Sequence, residues 1–289
     1  MATRFPDLVE SPLPDPKATP ASALGGRAPI GIPPRNKKPF TFPLVPIADL
    51  RREPWVQFRP SKNVIRTLPL AELLADDLRG AFPAREPKNH KDRLSTSGAY
   101  WSATAKDLVF YESLIERETI LLSDFDPDVV ELIAQPFRLL GIFDGRRRIH
   151  TPDYAQITIA GGIRVKNCKP FDKVSEAKNV ALHGWVDSLL GQAGISHEVV
   201  VEMPSNRARN MSSIAHLRND RWIRGLPLDA VVDACRGPMR VAELVASCSS
   251  VMTTATALAC LRALLWRRAI EADLDDLLSM QSVVWPARA

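Results

Sequence analysis

Asp153, Asn167 and Lys169 have the residue types and spacing to serve one reaction. Asp153 sits in the run TPDY, which opens a strand-like segment, and Lys169 closes the next such segment, RVKNCKP, two residues after Asn167. Ala160, Gly161 and Gly162 separate the two runs, a hairpin signal. An acid on one strand, with an amide and a lysine on the other, can hold a divalent cation and a water against a phosphodiester. The carboxylate binds hard Mg²⁺, and the metal polarises a phosphoryl oxygen and acidifies water. Lysine orients that water or neutralises developing charge. A second carboxylate is wanted, and AKDLVFYESLIERETILLSDF offers Glu112 and Glu116, four residues apart on one face of a predicted helix. Type and spacing alone leave the alternative of ordinary surface ions open.

The hairpin must position these groups. A three-residue loop at 160–162 sets Asp153 opposite Lys169, Ala155 opposite Asn167, Ile157 opposite Val165 and Ile159 opposite Ile163. One face is then apolar except at the end holding Asp153, Asn167 and Lys169. The other receives Tyr154, Gln156, Thr158, Arg164, Lys166 and Cys168, a set suited to solvent or a partly covered surface, with the Cys168 thiol there as a packing group. A two-residue loop would set Ile157 against Lys166 and break this pattern.

Around the hairpin the 289 residues, 45% hydrophobic and 25% charged, suggest two modest domains. Of 24 prolines, 13 fall in residues 1–60, so that segment reads as an extended or disordered arm, clearest up to about residue 45. Residues 61–94 read as a short helix at 68–81 and a basic connector at 84–93. A mixed α/β domain is expected over 95–204: a helix at 105–125, strands around VVELIAQP and 137–143, a turn at Arg146, Arg147 and Arg148, the hairpin, a helix at 173–193 and a buried strand HEVVVEM. Residues 205–289 differ. A basic run with Arg207, Arg209, Arg218, Arg221, Arg224 and Trp222 precedes three helical segments and a hairpin, the order of a winged helix. The arginines suit phosphates. Glu271, Asp273, Asp275 and Asp276 fall at the wing and suit a protein contact or a solvated turn. Thr253, Thr254 and Thr256 begin or cap a recognition helix, while Leu258, Leu261 and Leu265 belong to a core.

The net charge of +5 favours an anionic partner such as nucleic acid. Four cysteines without a CxxC pair support neither a zinc site nor a disulfide framework. No apolar run suits a signal peptide or a membrane span, so a soluble, cytoplasmic protein is expected.

ESLIERETILLSDFDPDVVELIAQPFRL, then TPDY, then RVKNCKP resembles the TnsA-type transposon-end endonucleases, which have the PD-(D/E)xK restriction-endonuclease-like fold. The resemblance spans roughly residues 111–170, with the FDPDV and QPF runs in order. It implies a restriction-endonuclease-like mixed-sheet core followed by a small, mainly α, winged-helix-like C-terminal domain. It also implies Glu116, Asp153 and Lys169 as catalytic groups, and Glu116, Asp153, Asn167 and the Cys168 carbonyl as ligands of Mg²⁺, with Mn²⁺ substituting. Glu112 is left as a solvated or supporting helix residue. The implied activity is cleavage of the 5′ non-transferred strand of double-stranded DNA at transposon ends, beside a DDE-type transposase subunit and an AAA+ ATPase regulator. One residue departs from the pattern. The family has Glu, Asp or Gln where this chain has Asn167, whose amide adds no charge and is one methylene shorter than Gln. That departure keeps open a catalytically silent winged-helix assembly protein, and the motifs also fit a stand-alone PD-(D/E)xK nuclease.

Overall fold

The computed structural model describes residues 41–85 and 97–287, so the arm up to residue 40 and the connector beyond Arg85 lie outside the described residues. First come α1 (Ile47–Leu50), β1 (Trp55–Ser61), β2 (Val64–Pro69), a 3₁₀ turn at Leu70–Glu72 and the single turn α2 (Ala75–Leu78). Residues 41–60 therefore do not continue the proline-rich arm. Their prolines sit where a missing N–H breaks no ladder: Pro46 precedes α1, Pro54 precedes β1, and Pro60 lies where the β1–β2 register shifts. The helix expected at 68–81 is broken as well, because Leu68 and Pro69 finish β2. Leu70, Leu73 and Leu78 are buried along a turning chain instead of on one helical stripe.

β3 (Gly98–Ser102) and β4 (Asp107–Tyr111) form an antiparallel pair, followed by α3 (Leu114–Phe125). The helix expected from Ala105 thus starts at Leu114. Leu108 to Tyr111 are apolar and aromatic enough to pair as a strand, and the Ser113 hydroxyl caps the helix by accepting the Glu116 N–H at 3.2 Å. Asp124, near the end of α3, holds the β3–β4 turn through Ser102 Oγ at 2.5 Å and the amides of Ala103 and Thr104 at 2.7 and 2.8 Å. Asp124→Ala strands these donors and is expected to destabilise the fold by about 3 kcal/mol. Urea unfolding would read this as a lower midpoint at constant slope. An unchanged midpoint would contradict the assignment.

β5 (Val129–Ala134), β6 (Arg138–Phe143) and β7 (Arg146–His150) come next. Arg146, Arg147 and Arg148 lie in β7, not in a turn. The turn is Asp144–Gly145, with φ of 49° and 70°, the two left-handed residues that a tight hairpin needs. β8 (Tyr154–Thr158), β9 (Ile163–Cys168), α4 (Phe171–Val174), α5 (Ala177–Gln192) and β10 (Ser196–Val200) complete this part. The result is a mixed α/β structure with several sheets. One has the order β2-β1-β6-β7 and is antiparallel; the other, β10-β9-β8-β5, is mixed because β10 runs parallel to β9. β10 is an outer, half-exposed strand and not a buried one.

The β8–β9 register pairs Tyr154 with Lys166, Ala155 with Val165, Gln156 with Arg164 and Ile157 with Ile163. It lies two residues from the expected register. The loop is residues 159–161, closed by the Thr158 N–H donating to Gly162 O at 3.0 Å, with Gly161 at φ 78°. A shift of two preserves faces, so Ala155, Ile157, Ile163 and Val165 remain buried together, against Val186 and Leu190 of α5. It changes partners, however, and Asn167 comes opposite Asp153 where Lys169 was expected. The second face is covered by α3. Gln156 Nε2 donates to Ser123 Oγ at 2.7 Å, and the Cys168 thiol lies 3.1 Å from Thr119 Oγ1. Polar groups satisfied across that interface made the face look solvated in the sequence.

The remaining elements are α6 (Ser205–Ala215), α7 (Asp220–Ile223), α8 (Leu228–Ala234), β11 (Met239–Arg240), α9 (Val241–Ser247), α10 (Thr254–Trp266), β12 (Ile270–Ala272) and β13 (Val283–Pro286). Their small antiparallel sheet has the order β11-β13-β12. Met211, Ile214, Leu261 and Leu264 share one apolar core with Ile115, Ile120 and Leu121 of α3. Arg218 also reaches across, donating to Trp101 O at 2.9 Å and lying 4.5 Å from the Tyr100 ring. Between β12 and β13 the acidic segment is held down. Buried Asn210 donates to Leu274 O and Asp276 O at 2.9 and 2.7 Å, and Arg207 pairs with Asp275 at 2.9 Å. All four cysteines are buried free thiols. No helix among the described residues is long and apolar enough to cross a membrane.

Candidate functional site

Asp153 lies at the junction of the two sheets, where Thr151 and Pro152 lead from β7 to β8. Its carboxylate accepts the Cys168 N–H at 2.7 Å and lies 3.4 Å from Asn167 Nδ2. Burial raises its pKa, opposed by the Cys168 amide, the Lys169 charge, the Asn167 amide and Arg85. Glu116, in the first turn of α3, accepts from the Glu112 N–H at 2.8 Å, Ser113 Oγ at 3.3 Å and the Tyr154 hydroxyl at 3.4 Å. Burial first, and then the charge of Asp153, push its pKa up to about 7. Two acids from separate elements thus meet electrostatically. Glu112 precedes the helix and pairs with Arg85 at 2.8 Å, so the glutamates do not share a helical face.

Lys169 follows β9 on the face of Asp153, half-buried, and its charge favours ionised Asp153. The Cys168 thiol, raised by burial, points to α3, which leaves main-chain atoms as the only part of Cys168 facing Asp153.

Asn167 is 2% exposed, and its amide is held on both sides. Oδ1 accepts from His150 Nε2 at 3.2 Å and His197 Nε2 at 3.1 Å, while Nδ2 donates to Asp153. The oxygen that the resemblance assigns to a cation is therefore turned toward two imidazoles. In this orientation the amide presents nitrogen, not oxygen, to Asp153. His183, from α5, stacks on His197 with ring centroids 5.8 Å apart and meets His150 edge-on at 6.1 Å. Burial holds His150 and His183 down at about 4 and lowers His197 too, so all three rings are neutral at pH 7. Sequence reading missed this group. His150 lies three residues before Asp153, but His197 arrives only through the parallel β9–β10 pairing and His183 through the packing of α5.

Glu116, Asp153 and a main-chain carbonyl are hard oxygen donors of the kind Mg²⁺ takes, and an acid raised by its neighbour's charge is one a cation would relieve. Among the described residues no group of three or more His, Cys, Asp and Glu side chains is arranged to hold a metal ion. No family model matches the chain, and no curated protein matches it. The functional reading rests on the residues themselves.

Two surfaces carry exposed basic or aromatic groups. Arg146, Arg147 and Arg148 are exposed along β7, an outer strand, and make no ion pair among the described residues. Around a cleft of about 430 Å³ between β3, α3 and α6 lie Arg117, Arg218 and Trp222, the last 68% exposed. Arg207, expected to meet phosphate, is committed to Asp275, whereas Arg209, Arg221 and Arg224 are exposed. In α10, Thr253 caps the helix by accepting the Thr256 N–H at 3.2 Å, and Leu261 and Leu265 are buried.

Proposed function

We propose that the chain is the TnsA-like endonuclease subunit of a heteromeric cut-and-paste transposase, cleaving the 5′ non-transferred strand at transposon ends. The observation carrying this reading is the coupling of Glu116 and Asp153 across two elements, with Glu116 pushed up to about 7 beside the second acid and the Lys169 charge favouring ionised Asp153. A restriction-endonuclease-like core is supported by the mixed sheet with α3 against the hairpin. A winged helix is supported by the order α8, β11, α9, α10, β12, β13. Mg²⁺, when bound, would polarise a phosphoryl oxygen and acidify a water. Asp153 and Glu116 supply its negative surroundings, and Lys169 offsets charge developing on the phosphate. A DDE-type subunit would choose the ends, and an AAA+ ATPase would regulate it.

A second reading, a silent assembly protein, is favoured by one observation. Both Glu116 oxygens serve the start of α3, and the Asn167 oxygen is occupied. Product topology separates the two readings. A reconstituted reaction with the cognate DDE subunit and ATPase should give simple insertions with this chain and cointegrates without it; cointegrates in both would favour the silent reading.

The β7 arginines extend the proposal to DNA. Arg146→Ala with Arg148→Ala should weaken binding uniformly across DNA sequences and flatten the dependence of log K on log salt by about 2. A salt slope equal to that of wild type would remove β7 from the DNA path.

A further inference from the structure

We propose that His150 and His197 are positioning residues that set which way the Asn167 amide faces, and thereby whether it presents oxygen or nitrogen to Asp153. The inference rests on the reading of Glu116 and Asp153 as a cation site. In the structure both Nε2 atoms lie against Asn167 Oδ1, at 3.2 and 3.1 Å, and Nδ2 lies 3.4 Å from the Asp153 carboxylate. A neutral ring facing a carbonyl oxygen must carry its proton on that nitrogen. This arrangement therefore requires Nε2–H in both rings, and it offers N–H groups, not a lone pair, to the acidic end of the hairpin.

The opposite arrangement is equally complete. An amide NH₂ has two hydrogens, and two Nε2 atoms in the Nδ1–H form are two acceptors. Turning the amide would then satisfy both rings and place Oδ1 beside Asp153, where it becomes a hard ligand. His197 already leans that way, because its Nδ1 lies 3.7 Å from Asp187 Oδ1, a partner for Nδ1–H and not for a lone pair. His183, 7% exposed and with neither ring nitrogen bonded among the described residues, packs against both rings and holds their planes. The device needs no change of charge. It exchanges two tautomers and one amide, and a cation at Asp153 tips the balance to the turned state.

Nitrogen NMR of the full chain with ¹⁵N-labelled histidine, at pH 8 with and without Mg²⁺, reads the tautomers directly. Single His150→Gln and His197→Gln variants assign the signals. Nε2 of both rings should change from protonated to unprotonated type as Mg²⁺ saturates, and Asp153→Asn should abolish the change. In Asn167→Asp the rings must donate in either state, so Nε2 should stay protonated with Mg²⁺ present. Gln presents an acceptor where Leu cannot, so His150→Leu is expected to weaken Mn²⁺ binding about tenfold and His150→Gln to restore most of it. Asp153-dependent binding of Mg²⁺ with unchanged tautomers would overturn the proposal and leave the cation site standing. Absence of any Asp153-dependent binding would overturn both.

Discussion

Asp153→Ala is expected to lower 5′-strand cleavage by about 10³-fold or more, since metal assistance at a phosphoryl centre is worth several kcal/mol and each 1.36 kcal/mol is about tenfold. Lys169→Ala should lower it by about 10²-fold through loss of a positive charge at the developing phosphate charge. Neither change touches the DDE subunit, so 3′ joining should continue and cointegrates should accumulate. Asp153 also accepts the Cys168 N–H, and Ala leaves that amide without its partner. Asp153→Asn keeps an acceptor while removing the charge, so it should unfold like wild type and still fail to cleave. Wild-type rates in Asp153→Asn would place the reacting centre elsewhere.

Glu116→Gln should leave a chain that is inactive yet more stable than wild type at pH 8. The carboxyl has an ordinary pKa of 4.5 and is pushed up to about 7 by burial and by Asp153. The folded state thus holds a proton that the unfolded state has released between those values, and stability falls as pH rises through that window. The penalty is absent below about pH 4.5, complete above about pH 7 and amounts to about 3 kcal/mol. Gln accepts the Glu112 N–H without charging, so it should remove most of the penalty at pH 8 and none of it at pH 4. Mg²⁺ should act oppositely, raising the thermal midpoint of wild type more than that of the variant. Equal stabilities at pH 8 would mean that Glu116 is not held against its ionised form.

These expectations depend on features that were unequally legible in the sequence. The hairpin, its apolar face and the acid at its mouth were readable, because strand alternation constrains Ala155, Ile157, Ile163 and Val165 whatever the loop. The loop itself falls one residue earlier than the Ala-Gly-Gly run suggests. Ala160, Gly161 and Gly162 all tolerate a turn, and only Gly161 has the left-handed φ that fixes the pairing. That single step exchanged Lys169 for Asn167 opposite Asp153. The helix carrying Glu116 begins later than its apolar spacing suggests, since Leu108 and Tyr111 also fall at helical spacing and the Ser113 cap decides between the two periods. β1 was hidden by the prolines around it. The histidines were beyond reach, because Asn167 meets His150 from the other sheet and His197 from a parallel strand, contacts that local sequence does not encode.

Strand-specific cleavage of end-labelled transposon-end DNA, with the cognate DDE subunit and ATPase and titrated with Mg²⁺ and Mn²⁺, tests the proposed centre most directly. The wild-type chain should release a labelled 5′-strand product that rises with metal, and Asp153→Ala should release none while the 3′ strand is still cut. A 5′ product that persists unchanged in Asp153→Ala, or none from wild type with either metal, would contradict the assignment of Glu116, Asp153 and Lys169 as the cleavage centre.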